Sequence, residues 1–420
     1  MAKVFEYDGV VIGAGHNGMI CAGYLAKCGQ KIMVVEKNME VGGGLDSHED
    51  RNYPGFWHNI HSVFHRGLMM LPWYKDLELE NFGIHYYKPD PGVVHHFIDK
   101  TYLGWFADVK RTVKSIERFS KKDAATFLDI WTRWQPVVKN IVFPETYAVP
   151  VPIEEKRPLL EKLPEGREYL KYFETTPDEF VLQHFEHPRV QAFIGFLGVM
   201  RGYELDAPKT GYLIPAMIAW GVNPQLCRGT SHALGDNLAH MMSHNHVDYM
   251  EAIGVERILV EKGQATAVVL EDGTVIKARK FIASNVNPAE TFTKCIGREN
   301  LEPEFADKVA RFRFSKTTPI FATNLALNER PKYVTEEKHP KVAGSFMHIV
   351  GLEEYQDLRD LFEDCRTGQL PRKPFMNGAT PSFHDPTQAP PGKATAYMWQ
   401  LAPYNLLGNP LSWDKDRGEW

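Results

Sequence analysis

Tyr7-Asp8-Gly9-Val10-Val11-Ile12-Gly13-Ala14-Gly15-His16-Asn17-Gly18, continued by Val34-Val35-Glu36-Lys37, is the stretch that decides how this chain is read. The apolar run 10–12 predicts a buried parallel strand. Gly13-x-Gly15-x-x-Gly18 follows at once, and a helix is expected from about 17 to 28, stopped by Gly29. Strand, glycine turn, helix and second strand in this order make a nucleotide-binding unit. Gly13 permits the tight turn, Gly15 lets backbone approach a pyrophosphate, and Gly18 lets the helix pack on the sheet. His16 and Asn17 open the helix, whose first N–H groups and positive dipole end face the phosphates. Glu36, with Lys37 beside it, closes the second strand roughly 20 residues on, where a carboxylate accepts hydrogen bonds from an adenosine ribose. An acid there, with no Arg, points to FAD or NAD and away from NADP.

At 420 residues the chain is long enough for two or three domains. Hydrophobic residues at 43% and charged residues at 24% are ordinary globular values. The net charge of −5 and the absence of a Lys/Arg run exclude a phosphate track, so no nucleic acid is expected. The few residues before the first strand leave no room for a targeting peptide, and a cytoplasmic protein is expected. The longest apolar stretches, 192–200 and 212–222, are shorter than the ~18 residues of a spanning helix. Cys21, Cys28, Cys227, Cys295 and Cys365 are scattered and form no CxxC pair, so they indicate neither a disulfide framework nor a zinc site.

Further along, Val41-Gly42-Gly43-Gly44 brings more glycines to the end of the second strand, where backbone again comes close to a ligand. Helical spacing recurs in 119–134 and 180–200, with proline-rich connections, which predicts a mainly helical insertion with some strand. Residues 234–242 read as a helix that Thr230 or Ser231 can cap. The period then shifts to two. Strands are expected at 258–260, 265–270, 274–277 and 281–284, with a hairpin turn at Glu271-Asp272-Gly273. A final stretch mixes strands at 320–327 and 394–401 with a helix at about 352–367.

Taken together, the opening glycine motif, Glu36 with Gly42-Gly43, Gly229 before a helix, the Asp272-Gly273 hairpin, Ser284-Asn285 and the 382–392 turn resemble the phytoene desaturase-like flavoproteins of the wider amine oxidase group. The resemblance is strongest to the non-carotenoid pyridine nucleotide-disulphide oxidoreductase domain 2 type, and it covers nearly the whole chain. It implies an α/β (α+β) fold: a Rossmann-like FAD-binding domain, at 1–70 and 251–300, and a large discontinuous, partly helical substrate domain, at 71–250 and 301–420. It also implies FAD as cofactor. Gly13, Gly15 and Gly18 would hold its pyrophosphate, Glu36 its ribose, Gly42-Gly43 the linker towards the flavin, and the backbone of Val255 its adenine edge. His16, Asn17, Lys37, Gly44, Ser284 and Asn285 complete the expected cofactor set.

Three departures stand out. Gly44 occupies a position where relatives often carry Arg. The flavin-proximal segment reads His58-Asn59-Ile60-His61, followed by His65, and His61, His58 and Asn59 are the catalytic candidates. A histidine here can crowd the flavin, carry a proton or attach the flavin covalently; these histidines can equally form one face of a helix or ligate a metal, although no metal is expected. His240, His244 and His246 read as a solvated helix end. Finally, the glycine-rich motif that completes the flavin site in relatives has no counterpart after Gly392: the sequence is a fragment, the flavin end is bound differently, or a second polypeptide supplies the motif, and the last is the expectation.

The expected function is removal of a hydride (two electrons) from an apolar or aromatic small molecule by an FAD-dependent dehydrogenase or oxidase. The electron acceptor is left open among oxygen, a quinone and an electron-transfer protein. The aromatic residues around Trp105-Phe106, 193–196, Tyr203, Tyr212 and Trp220 suit such a substrate. Alternative readings are a non-catalytic FAD-binding or scaffold subunit, a flavin-dependent isomerase, and a peripheral membrane protein docking through 192–222.

Overall fold

The computed structural model describes residues 3–200, 202, 204–312, 319–409 and 413. They group into two compact units, the first formed by the described parts of Met1–Tyr87, Gln225–Phe314 and Asp385–Thr395, the second by those of Lys88–Pro224, Ser315–His384 and Ala396–Trp420. The fold class is α/β, as expected. The units are cut at other points than 70, 250 and 300: residues 71–87, 225–250 and 385–395 all fall in the unit that holds the glycine motif.

The first unit is built on β1 (Val4–Ile12), α1 (His16–Lys27), β2 (Ile32–Val35), the short pair β3 (Ser47–Glu49) and β4 (Trp57–Asn59), α2 (His232–His244), β5 (Asp248–Met250), β6 (Val255–Glu261), β7 (Gln264–Leu270) and β8 (Val275–Ser284). Its main sheet has the order β5-β2-β1-β8-β7-β6. The first four strands are parallel, and β8-β7-β6 is an antiparallel meander. Successive side chains of a strand point to opposite faces. Val11, Ile32 and Val34 pack with Met19 and Ala22 of α1 and with Leu234, Leu238 and Met241 of α2. Val10, Ile12, Met33 and Val35 pack on the other face with Ile258, Val268, Leu270 and Ile276. A strand covered on both faces must be apolar throughout, which is why residues 10–12 read as an unbroken run.

Helix α1 ends where Gly29 turns to φ +79°, its N–H bonded to the Ala26 carbonyl at 2.8 Å. The hairpin at Asp272-Gly273 is present, with Gly273 at φ +83°. The strands expected at 274–277 and 281–284 are one continuous strand, β8. The polar residues that separate them in sequence lie at a bulge, where Tyr7 and Gly9 of β1 face Ala278 and Phe281. There Arg279 and Lys280 pair with Asp8 at 3.3 and 3.2 Å.

The second unit carries a six-stranded sheet. It contains Val93–His96, Tyr102–Trp105, Ile320–Leu327, Met347–Val350, Met376–Ala379 and Ala394–Leu401, together with the helices Lys121–Val137, Pro177–His184, Pro188–Val199 and Leu213–Trp220. Phe127, Ile130 and Trp134 make the buried stripe that the spacing of 119–134 predicts, and Ser120 caps that helix by accepting from Asp123 N–H at 3.0 Å. The aromatic residues expected at a substrate pocket are largely core. Phe193 and Phe196 are fully buried, and Trp105 packs edge-on against Phe127. Tyr203 lies outside the described residues. Within 192–222, the region expected to dock on a membrane, the stretches 192–199 and 214–219 are buried throughout. No helix among the described residues is long and apolar enough to cross a membrane.

Candidate functional site

The parallel strands β1, β2, β5 and β8 all end at the same edge, and the glycine motif, Glu36 and Ser284-Asn285 follow those ends directly. Gly13 turns the chain at φ +93° and donates its N–H to the Val35 carbonyl at 2.7 Å, which ties the loop to β2. A Cβ on Gly18 would stand 2.2 Å from the Gly13 carbonyl oxygen, so only glycine lets α1 start this close to the strand. Gly15 precedes α1 without a side-chain cap, and the first turn carries no acid. The helix therefore keeps its orphan N–H donors and its positive dipole end for an anion. The second glycine run closes on the first: Gly42 donates to the Ala14 carbonyl at 2.8 Å, and a Cβ on Gly43 would meet the Gly15 Cα at 2.9 Å. Asn285 completes the floor, its N–H bonded to the Ile12 carbonyl at 2.8 Å and its Nδ2 3.0 Å from where a Gly15 Cβ would sit. Ser284 Oγ is 2.7 Å from Thr291 Oγ1.

Glu36 is buried, and it works first on its own loop. Oε2 accepts from Ala14 N–H at 2.8 Å and Oε1 from Asn38 N–H at 2.9 Å. A carboxylate has about four lone-pair sites, so capacity for a ribose remains. Glu36 N–H bonds the Met250 carbonyl and Ile253 N–H bonds the Glu36 carbonyl, which leads the chain into β6 at Val255, paired with Leu270. Asn17, Lys37 and Gly44 are exposed.

The histidine segment forms no helix: 57–59 and 65–66 are strands. His58 stands opposite His48 in the β3–β4 pair. Its Nε2 lies 3.1 Å from Asp50 Oδ2, while its buried Nδ1 has no partner. Asn59 is committed to a buried network. Its Oδ1 accepts from Ser231 N–H at 2.8 Å and from Ser47 Oγ at 3.3 Å, and its Nδ2 donates to Gln388 Oε1 at 3.1 Å. Gln388 in turn donates to Asp385 Oδ2, which also accepts Gly229 N–H at 2.7 Å. This network holds the turn before α2, where Thr230 adopts φ +79°, a conformation rare for a β-branched residue. Ser231 precedes α2 with no capping bond from its side chain. His61 is exposed.

Asp385 and Gln388 were not legible as site-building residues, because their partners lie far off in sequence. His16, Asp46, His58, His65, Ser231 and His232 each leave one buried side-chain atom without a partner, all within this unit. Such atoms are not peculiar to this unit, since His95, Tyr172, Asn324, Tyr333, Asn377 and His384 carry them in the second. His65 bonds Tyr86 through Nδ1 at 2.9 Å. Burial, helped by the nearby His16, brings its pKa down to about 4, and burial lowers that of His16 as well, so both rings favour the neutral form.

Residues 11–67 match the NAD(P)-binding Rossmann-like domain. Over 416 residues the chain is 31% identical to one of the subunits of limonene dehydrogenase from Castellaniella defragrans, covering 96% of this chain and 75% of that one. The chain belongs to the phytoene desaturase-like flavin oxidoreductases. Other relatives are the mouse pyridine nucleotide-disulfide oxidoreductase domain-containing protein 2 (27% identity, 97% and 75% covered) and a 4,4'-diapophytoene desaturase of Staphylococcus aureus (21% identity, 97% and 78% covered). An oxidoreductase of Methanosarcina mazei shares the fold at a TM-score of 0.58 and 16% identity, over 99% of this chain and 82% of that one. In this family setting the glycine loop and the neutral, inward-facing histidines lie in one unit.

Proposed function

We propose that the protein binds FAD in its first unit and removes a hydride (two electrons) from an apolar or aromatic small molecule, as an FAD-dependent dehydrogenase or oxidase. The observation that carries the reading is the doubled glycine cradle, Gly13 to Gly18 closed by Gly42-Gly43, with buried Glu36 at its side. In this reading Gly13, Gly15, His16, Asn17 and Gly18 hold the pyrophosphate through backbone donors, Glu36 the ribose, Val255 the adenine edge and Asn285 the cradle floor. Bound FAD supplies the two-electron acceptor chemistry that the side chains of this chain lack.

His58 is the proposed proton-handling group. Asp50 orients its Nε2, and its buried Nδ1 is left to take or give a proton. Asn59 acts as a positioning residue through the Ser231 and Gln388 bonds, whereas His61, being exposed, is the weaker catalytic candidate. The reading also makes this chain one member of a complex, supported by the limonene dehydrogenase relative, which is itself named as a subunit.

Purified native protein is expected to be yellow and to release FAD on acid precipitation. Anaerobic titration with limonene, the compound in that relative's name, or with another apolar terpene is expected to bleach the flavin absorbance. Colourless protein that takes up no FAD overturns the cofactor assignment. An FAD-loaded protein that stays oxidised with every apolar or aromatic compound tried overturns the substrate class. Native mass of the purified protein tests the complex: an FAD-saturated monomer of this chain alone would exclude it.

A further inference from the structure

We propose that His232 is the cationic hydrogen-bond donor of the glycine cradle, its Nδ1–H donating to a pyrophosphate oxygen of the bound dinucleotide. This inference rests on the FAD reading above. His232 opens α2, and its Nδ1 is buried with no partner in the protein. That atom lies 3.9 Å from the point where a Cβ on Gly42 would stand and 3.8 Å from the corresponding point on Gly235. The two glycine backbones approach so closely that a Cβ on Gly235 would be 3.4 Å from the Gly42 Cα. The imidazole Nδ1 therefore lies at the contact between Gly42 of the cradle loop and Gly235 of α2.

The other ring nitrogen is already oriented. Nε2 lies 3.3 Å from Asp236 Oδ1 on the same helix and 3.5 Å from Glu40 Oε2 on the chain leaving β2. Asp46, beyond the Gly43–Leu45 turn, adds a third negative charge facing the ring. The bond to Asp236 and then the charges of Asp236, Glu40 and Asp46 raise the His232 pKa above its ordinary value against the opposing effect of burial. An imidazolium donates from both nitrogens. With Nε2–H held by carboxylates, Nδ1–H is the donor left over, and a charged donor to phosphate is roughly twice as strong as a neutral one. It would add a side-chain cation to a cradle that otherwise offers backbone N–H groups.

Gly44 provides an independent check, because a Cβ there meets nothing within 4 Å and an Arg has room. The experiment titrates flavin-stripped protein with FAD, followed by flavin fluorescence, between about pH 6 and pH 9. The proteins are wild type, His232→Ala, and His232→Ala with Gly44→Arg. Wild-type affinity is expected to fall as pH rises through the elevated His232 pKa. His232→Ala is expected to bind roughly ten-fold more weakly at the acid end and to lose that pH dependence. Adding Gly44→Arg restores affinity without restoring the dependence. Thermal unfolding without FAD checks that each variant folds. A His232→Ala protein with wild-type affinity and pH profile overturns the inference. So does one that is weakened but keeps the wild-type pH profile and is not rescued by Gly44→Arg, since that pattern marks a packing role. Wild type that takes up no FAD overturns the cofactor reading itself, whereas wild type that binds FAD beside an unaltered His232→Ala overturns the role of His232 alone.

Discussion

In the glycine runs at 13–18 and 42–44 the candidate site is made by backbone, and between residues 58 and 65 it is made by side chains. In the glycine region, identity follows from what cannot be present: a Cβ on Gly18 or Gly43 would collide with the loop itself. In the histidine region, identity follows from what each side chain reaches, which for Asn59 is Gln388, 329 residues away. A local collision leaves a spacing in the sequence, whereas a long-range hydrogen bond leaves none. The two regions should therefore respond differently to substitution.

The largest effect is expected at Gly18→Val. Its Cβ would press on the Gly13 carbonyl oxygen, forcing α1 off the strand. Loss of about 2–3 kcal/mol or more and of FAD retention are expected together, measured by urea unfolding and flavin content. Asn59→Ala comes next. It leaves Ser231 N–H and Gln388 Oε1 without their partner in a buried setting, and about 1–3 kcal/mol is expected with a smaller fall in FAD affinity. If Asn59→Ala proved as disruptive of FAD retention as Gly18→Val, the contrast between the two regions would fail.

The pH dependence sharpens the same contrast. The folded pKa of His65, about 4, lies below the ordinary value of 6.5, so below neutrality the unfolded chain binds more protons than the folded one. Stability is then full above 6.5 and is lost as pH falls from there towards 4. His65→Gln is expected to flatten that slope in urea melts taken across the window, while Gly18→Val leaves the slope unchanged. The smallest effect on stability is expected at exposed His61→Ala, within about 0.5 kcal/mol. A large loss of turnover there, with the fold intact, would move the catalytic assignment from His58 to His61.

The nucleotide-binding half was legible because both of its signals are local. Apolar residues 10–12 and 32–35 announce buried strands, and Gly13, Gly15 and Gly18 announce the turn. The strands Ile320–Leu327 and Ala394–Leu401 were also read at their true bounds. Strand β8 was split because Arg279 and Lys280 interrupt its pattern at a bulge, and nothing local says that Asp8 waits opposite them. Of the aromatic residues read as suiting a substrate, Phe193 and Phe196 are core, whereas Phe106, Tyr212 and Trp220 are half-buried, since a buried Phe and a ligand-facing one have the same sequence signature. The supposed cap at Ser231 failed because its backbone is itself helical, at φ −66° and ψ −23°, whereas a capping residue is extended.

The short segment Asp385–Thr395 belongs to the unit that begins with the glycine motif. During synthesis, β1 and α1 emerge early, yet the bond from Asn59 to Gln388 waits for a partner 329 residues further along the chain. Closing a loop that long costs chain entropy before any contact rewards it. The unit whose motif is easiest to recognise thus waits for a segment far along the chain, and its nucleotide-binding layer stays open until that segment is made.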